Sequence, residues 1–310
     1  MRILVAGELN PDLVLTSLTA VPEPGREVVA RDFALRLGSS SAICASGLAK
    51  LGNDVAVVGT AGDDVFGRFC LEQLTDARVD VSSVRSDPSL RTGLTVSISD
   101  RDRALVTYPG SMEALRADDV ADSLLVQFRH LHVSAYFLQS GLRPGLPGLF
   151  SRARAHGLTT SFDPGHDPYC EWGDEIRDVF RDTSVLFMNE VELELTTGSG
   201  DIEQGLRRLA TDSTIAVVKL GACGSAALDA SGVIQRVPAM EVDVLDTTGA
   251  GDSFNAGFLH AWLRGWNLAK ALRCGVVCGS LSTRGLGGCE AQADAMELQE
   301  CLLRFEATAR

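Results

Sequence analysis

The chain has 310 residues, with 28 lysines and arginines against 41 aspartates and glutamates, and a net charge of −13. At 45% hydrophobic and 22% charged residues it has the composition of a globular protein, not a disordered one. No run of 18 apolar residues suggests a membrane span, and a pI near 4.8 argues against a nucleic-acid-binding face, while a small anion held by backbone dipoles stays allowed.

Short apolar segments alternate with longer amphipathic ones. Residues 2–7 (Arg-Ile-Leu-Val-Ala-Gly) are expected to form a first strand, being too short for a secretory signal. Further strands are expected at 55–59, 130–134, 159–163, 184–188 and 214–220. Several are continuous Val/Leu/Ile/Phe runs, as in strands covered on both faces. Helices are expected at 42–51, 67–77, 144–156, 173–181, 202–210, 251–264, 268–282 and 293–305. The β-α-β alternation predicts an α/β fold, a Rossmann-like, mostly parallel sheet with helices on both faces. Residues 27–37 break the pattern, being β-rich with no helix before them. Residues 92–98 and 104–108 flank the polar turn Ser99-Asp-Arg-Asp-Arg103, a hairpin signature. Together these predict a small β-sheet lid, formed by about 12–37 and 91–109, on a single domain spanning 1–310.

Eight cysteines, at 44, 70, 170, 223, 274, 278, 289 and 301, make no Cys-x-x-Cys and no zinc spacing. Reduced, buried thiols in a cytoplasmic protein are expected. The first β-α turn, Gly7-Glu-Leu-Asn-Pro, lacks the glycine fingerprint of a nicotinamide dehydrogenase, and no Walker A loop or Gly-x-Ser-x-Gly occurs.

Several polar motifs follow in chain order. Asn10 and Asp12 come just after the first strand, where open α/β sheets bind ligands, and their amide and carboxylate suit vicinal hydroxyls. Gly38-Ser-Ser-Ser leads a small-residue helix that ends near Gly52, a turn fit for helix capping or for close approach to a polar ligand. Asn189 and Glu192 lie three apart on one helix face, a pair able to hold a hydrated Mg²⁺ or simply to face solvent. Lys219-Leu-Gly-Ala-Cys-Gly224 ends a strand with two glycines, suiting a phosphate that passes over the backbone. The most informative run is Asp246-Thr-Thr-Gly-Ala-Gly-Asp252. Gly249, Ala250 and Gly251 precede a helix whose free N–H groups and dipole favour an anion. Asp252 beside such a cradle can take a proton from a hydroxyl attacking a phosphoryl group, or can merely cap the helix.

These motifs resemble the ribokinase-like (PfkB-type) carbohydrate kinases over essentially the whole chain. The resemblance implies an ATP- and Mg²⁺-dependent kinase. It implies Asp252 as catalytic base, Gly249, Ala250 and Gly251 as anion hole, and Asn10, Asp12, Gly38 and Ser39 against the substrate. On the nucleotide side it implies Asn189 and Glu192 toward Mg²⁺ and phosphate, with Lys219, Gly221 and Gly224. Asp246 and Thr248 match positions that hold an activating monovalent cation, K⁺, in many relatives. Three departures stand out. Ser39 replaces a usual glycine, Ile43 replaces a common asparagine, which suggests a less polar or differently placed substrate, and 282–288 aligns ambiguously, leaving its cation ligands unassigned.

The expected activity is transfer of the γ-phosphoryl group of MgATP to a monosaccharide or sugar acid. A nucleoside kinase is the alternative, favoured if Ile43, Phe33 or Phe137 lines the pocket. A sugar-phosphate kinase is disfavoured by the lack of a basic cluster, with Arg101 and Arg103 on the lid turn keeping it open. A non-catalytic sugar-binding relative would have no use for both Asp252 and the glycines. Phe33, Leu35, Leu94 and Val96 on a small sheet need cover, so a homodimer through the lid is expected.

Overall fold

The computed structural model describes residues 1–99, 103–170 and 172–308. A nine-stranded sheet forms the centre. From its middle, β1 (Arg2–Ala6) pairs in parallel on one side with β4 (Asp54–Gly62), and then comes β5 (Asp80–Asp87). On its other side follow β8 (His130–Ser134), β9 (Thr159–Asp163), β10 (Val185–Asn189) and β11 (Ile215–Lys219), all parallel. The antiparallel strands β12 (Ser225–Leu228) and β13 (Gln235–Val237) close the edge. Strand order reverses between β1 and β8, and the crevice this opens at the carboxyl ends is where such sheets take ligands.

Alternate residues of each strand feed two cores. Ile3, Val5, Val57 and Phe187 pack under helices Ser40–Lys50, Ala250–Trp262 and Leu268–Ser282. Leu4, Ala6, Val133 and Phe162 pack under helix Leu146–Ala155 and its neighbours on the opposite face. This two-sided burial is the reason the central strands read as unbroken apolar runs. Strands β5, β12 and β13 escape sequence reading for the same reason in reverse: they are short or lie at sheet edges, and most of their residues are polar or small.

A second sheet has the order β3-β2-β6-β7, from β3 (Ala30–Leu37), β2 (Pro11–Leu18), β6 (Leu94–Ser99) and β7 (Arg103–Tyr108). Its registers put Leu13, Leu15, Phe33, Val96, Ile98 and Val106 on one face, with Phe33 69% exposed. The other face carries Asp12, Thr95, Ser97 and Thr107 over the crevice. The hairpin tip expected at 99–103, with Arg101, falls on residues 100–102, outside the described ones. Among the described residues, no helix is long and apolar enough to cross a membrane. All eight cysteines are free. Cys44, Cys70, Cys274 and Cys278 are buried as expected, but Cys170 and Cys223 are exposed, because each sits in a loop beyond a strand end and not on a core-facing helix.

The first core has one polar seam. His130 and His132 of β8 are fully buried and share Ser161, at 2.7 Å from each ring. Thr159 meets His130 at 2.8 Å and Ser134 meets His132 at 2.7 Å, so all four ring nitrogens are bonded. Burial lowers the His132 pKa from 6.5 to about 4 and takes His130 well below its usual value. The unfolded chain therefore binds these protons more readily, and stability is full above pH 6.5 and lost as pH falls toward 4. His132 alone is expected to contribute roughly 3 kcal/mol to that loss. Denaturation curves at pH 7, 5.5 and 4 should show the decline, and His132→Gln, which keeps hydrogen bonding but not the titrating ring, should shrink it.

Candidate active site

Residues after β1, β8 and β9 form the walls of a cleft of ≈ 550 Å³ roofed by the small sheet. Glu8, Asn10 and Asp12 enter from the end of β1, Leu138 from beyond β8 and His166 from beyond β9, with Thr95 and Ser97 above. Asn10 Nδ2 donates to Asp12 Oδ1 at 3.2 Å and to Thr95 Oγ1 at 3.3 Å, and Thr95 meets Thr107 at 3.1 Å. A polar row thus crosses from the core to the roof. Gly38 makes it possible, since a Cβ there would lie 2.1 Å from Asp12 Oδ1 and 2.8 Å from Asn10 Nδ2. Ser39 next to it takes φ 68, a conformation costly without glycine. Its hydroxyl offsets this by accepting from Ala42 N–H as the helix cap and donating to the Glu8 carbonyl at 2.6 Å.

On the other side lies a second cleft of ≈ 550 Å³, lined by Lys219, Gly221, Gly224, Val242, Ala250, Gly251 and Phe254. Helix Ala250–Trp262 starts here, with Gly249 at φ 69 and no side chain capping its free N–H groups. That leaves donors and the positive helix end for an anion. Gly221 and Gly224 both have positive φ, so the turn after β11 needs them.

Asp252 stands between the two clefts. Ser40, which lines the first, has its hydroxyl on the carboxyl's side and favours its charged form, and Ala250 and Gly251, its helical neighbours, line the second. Although Asp252 is half-buried as a residue, its carboxyl lies deep in protein. Burial and then the Asp163 carboxylate push its pKa up to about 8, against the pull of Lys219. Lys219 is the counterion of the region. Its Nζ is 2.5 Å from Asp163 Oδ2, which also accepts from Asn255 Nδ2 at 2.6 Å. Burial alone would raise Asp163, but Lys219 and these hydrogen bonds hold it low. Burial would lower Lys219, but Asp163 and then Glu192 raise it. The pair is therefore ionised.

Asn189 and Glu192 form a reciprocal cap on helix Glu190–Thr197, with Asn189 N–H and Nδ2 donating to the carboxylate at 2.8 Å each and Glu192 N–H donating back at 2.9 Å. Burial, then Asp163, raises Glu192 to about 7. Each Glu192 oxygen keeps a second lone pair, which suits an ion met through water. Asp246 Oδ1 accepts from Thr248 N–H and hydroxyl, and Oδ2 accepts from Gly287 N–H at 2.8 Å. Asp246 and Thr248 thus clamp the loop below the helix, leaving about one lone-pair direction for a cation. Among the described residues, no three His, Cys, Asp or Glu are grouped to hold a metal.

The sequence-predicted residues Asn10, Asp12, Gly38 and Ser39 gather in or beside the first cleft, and Lys219, Gly221, Gly224, Ala250 and Gly251 in the second. Ile43 does not reach the substrate cleft. It wedges between Gly249 and Gly288, whose Cβ positions would lie 3.0 Å and 2.3 Å from its side chain. Its replacement of an amide is thus a packing change below the anion cradle. Phe137 belongs to a core and Phe33 to the outer face of the small sheet, so none of the three aromatic or aliphatic markers of a base-bearing substrate is in place. Sequence reasoning missed Glu8, Ser40, Asp163 and Asn255. Gly38→Ala is expected to displace Asp12 and Asn10 and weaken acceptor binding by about tenfold or more, with nucleotide affinity unchanged. Separate titrations of the two ligands on the variant check this.

Residues 2–295 match the pfkB family carbohydrate kinase. The chain is similar to the ATP-dependent ribose-1-phosphate kinase of Halopiger xanaduensis, at 30% identity over 288 residues, covering 91% of this chain and 92% of that one. It is also similar to a fructokinase of Klebsiella pneumoniae, at 32% identity over 289 residues, covering 86% and 91%. In fold it is similar to Arabidopsis thaliana ribokinase complexed with ribose and ATP, with a TM-score of 0.84 at 23% identity over 97% of this chain and 98% of that one. With the motifs spread over both clefts and the family match spanning nearly all of the chain, this protein belongs to the pfkB family of carbohydrate kinases.

Proposed function

We propose that this kinase transfers the γ-phosphoryl group of ATP to a hydroxyl of a monosaccharide or sugar acid, with Asp252 as general base. The observation that carries the reading is the position of Asp252, with Ser40 of one cleft influencing its carboxyl and its helical neighbours Ala250 and Gly251 lining the other. Asn10 and Asp12 orient the acceptor so that one hydroxyl reaches the Asp252 carboxylate. The Gly251 amide, at the uncapped start of the helix, stabilises charge that develops on the transferring group, and it does so without reorganisation because the helix already fixes it. Gly221 and Gly224 let the nucleotide lie against backbone, and apolar Val242 and Phe254 flank it. Mg²⁺ held through water near Asn189 and Glu192 would neutralise phosphate charge. K⁺ at Asp246 and Thr248 would take the lone-pair direction that Thr248 and Gly287 leave on the Asp246 carboxylate and would steady the loop below the helix without touching the substrate. The names of the relatives, a ribose-1-phosphate kinase and a fructokinase, support the reaction class.

The small sheet serves as the lid, and the protein works in the cytoplasm as a homodimer joined through it. The support is its outer face, where apolar residues of all four strands lie side by side and Phe33 and Val106 are exposed. Phe33→Asp with Val106→Asp should give a monomer in sedimentation analysis. Retention of the dimer would remove the lid from the interface.

A base must be deprotonated to act. Because Asp252 is raised to about 8, log kcat/KM should climb with pH up to that region and level above it. Asp252→Asn keeps the size of the side chain and removes the carboxylate. It should lower kcat by about 10²–10⁴-fold, abolish that inflection, and leave both ligands bound. Turnover within about threefold of the parent protein would reject the base assignment.

A further inference from the structure

Three consecutive serines lead into helix Ser40–Lys50, with Ser39 as its cap. Ser39 and Ser41 share one partner, Glu8, which follows β1 and is 2% exposed. Glu8 Oε1 accepts from the Ser39 hydroxyl and from Ser41 N–H at 3.1 Å each, and Oε2 lies 2.6 Å from the Ser41 hydroxyl. This clamp does not depend on the charge of Glu8. An ionised carboxyl accepts all three bonds; a protonated one, which burial favours, donates through Oε2 to Ser41 Oγ and still accepts the other two. Gly7 admits the clamp, since an added Cβ there would lie 2.0 Å from Ser41 Oγ. Ser40 is thus bracketed by two anchored neighbours. It lines the acceptor cleft, and its hydroxyl stands on the side of the Asp252 carboxyl. The helices that carry Ser40 and Asp252 are themselves fixed against each other. An added Cβ at Gly47 would lie 3.0 Å from the Cβ of Ala256, and Gln292 Nε2 donates to the Ile43 carbonyl at 2.8 Å and to Ser253 Oγ at 3.1 Å.

Resting on the kinase reading above, we propose that Glu8 is a positioning residue for phosphoryl transfer, whose carboxyl clamps residues 39–41 and so holds the Ser40 hydroxyl toward Asp252. A hydroxyl on the first residue of a helix sits where helices fray, and its bond to a neighbour is only as well placed as the turn before it. That turn is held here in the left-handed conformation at Ser39, φ 68, by the bonds of Ser39 to the Glu8 carboxyl and carbonyl. The other groups facing Asp252 come from elsewhere in the fold. Asp163 ends β9 and Lys219 ends β11, and they are held by each other and by Asn255, not by the 39–41 turn. The thiols of Cys44 and Cys289 also face it, and burial keeps both neutral. Ser40 is therefore the link through which Glu8 places a donor on the base without touching it.

The test is a carboxyl ¹³C NMR titration of the full chain labelled at aspartate, with the Asp252 resonance assigned through Asp252→Asn. Glu8→Gln keeps an acceptor for Ser39 and for Ser41 N–H and a donor for Ser41 Oγ, whereas Glu8→Ala keeps neither. Both variants are uncharged at position 8, so a difference between them belongs to the clamp. Asp252 should titrate about half a pH unit or more higher in Glu8→Ala than in Glu8→Gln, because losing a donor disfavours the carboxylate. Adding Ser40→Ala should raise it by a similar amount in the glutamine variant and leave it in place in the alanine variant, where Ser40 has already moved. In ADP release with MgATP and the better used of D-fructose and D-ribose, kcat should be about tenfold or more lower for Glu8→Ala than for Glu8→Gln, at unchanged ATP affinity. Where neither sugar is turned over, the titration decides by itself. If Glu8→Ala does not fold, Ser41→Ala added to Glu8→Gln takes its place. Equal titration of the two Glu8 variants, or an equal effect of Ser40→Ala in both, would overturn this inference and leave the kinase reading standing. Turnover of Asp252→Asn within about threefold of the parent would overturn the base assignment and this inference with it.

Discussion

One ammonium holds this active-site region together. Lys219 ends β11, Asp163 ends β9, Glu192 follows β10, and Asp252 and Asn255 sit on the first turns of helix Ala250–Trp262. Three carboxyl groups in so small a buried volume repel one another, and Asp252 and Glu192 are raised by burial first and by the Asp163 carboxylate second. Lys219 neutralises the most deeply buried of them. Without it Asp163 would be an unpaired buried charge, a loss of several kcal/mol in comparable sites. The same contact sets geometry, because with Asn255 it ties two strand ends to the helix that carries both the anion cradle and the proposed base.

The arrangement also explains how a carboxylate can stand beside an anion-binding helix end. Gly251 packs over Lys219, where an added Cβ would lie 3.3 Å from Nζ. The ammonium is thus directly under the backbone that would meet phosphate, and adds to the helix dipole from below. Asp252 is left as the group whose proton is most easily exchanged, since Asp163 is committed to Lys219 and Asn255.

What could be read from the chain alone was local. The β-α-β alternation marks the sheet because both faces of its central strands are apolar. The run from Asp246 to Asp252 marks the helix end because glycine at 249 is demanded by a positive φ. Gly38 was legible as a close-approach residue, though not what approaches it. Asp163 and Asn255 gave no signal, since their meaning lies in a bond spanning 92 residues, and Asp163 reads as the ordinary end of a strand. Ile43 was misplaced for a related reason: spacing located it on the right helix but could not tell the face toward the sugar from the face toward Gly249 and Gly288.

The small sheet is built from two hairpin-like segments far apart in the chain, and the parallel pairing of β2 with β6 is what unites them. Asn10 and Thr95, bonded across that union, are 85 residues apart. Such a contact joins the segments that follow β1 and β5, and closing so long a loop before those strands have paired in the large sheet costs chain entropy, so the small sheet is expected to assemble late in folding. It is also expected to be the part that local unfolding releases most cheaply, since Phe33 and Val106 on its outer face are exposed. The cleft proposed for the acceptor therefore inherits the lower local stability, and the cleft proposed for the nucleotide, rooted in the core through Lys219, inherits the higher. Amide exchange in this molecule would run faster under the small sheet than around the Lys219–Asp163 pair.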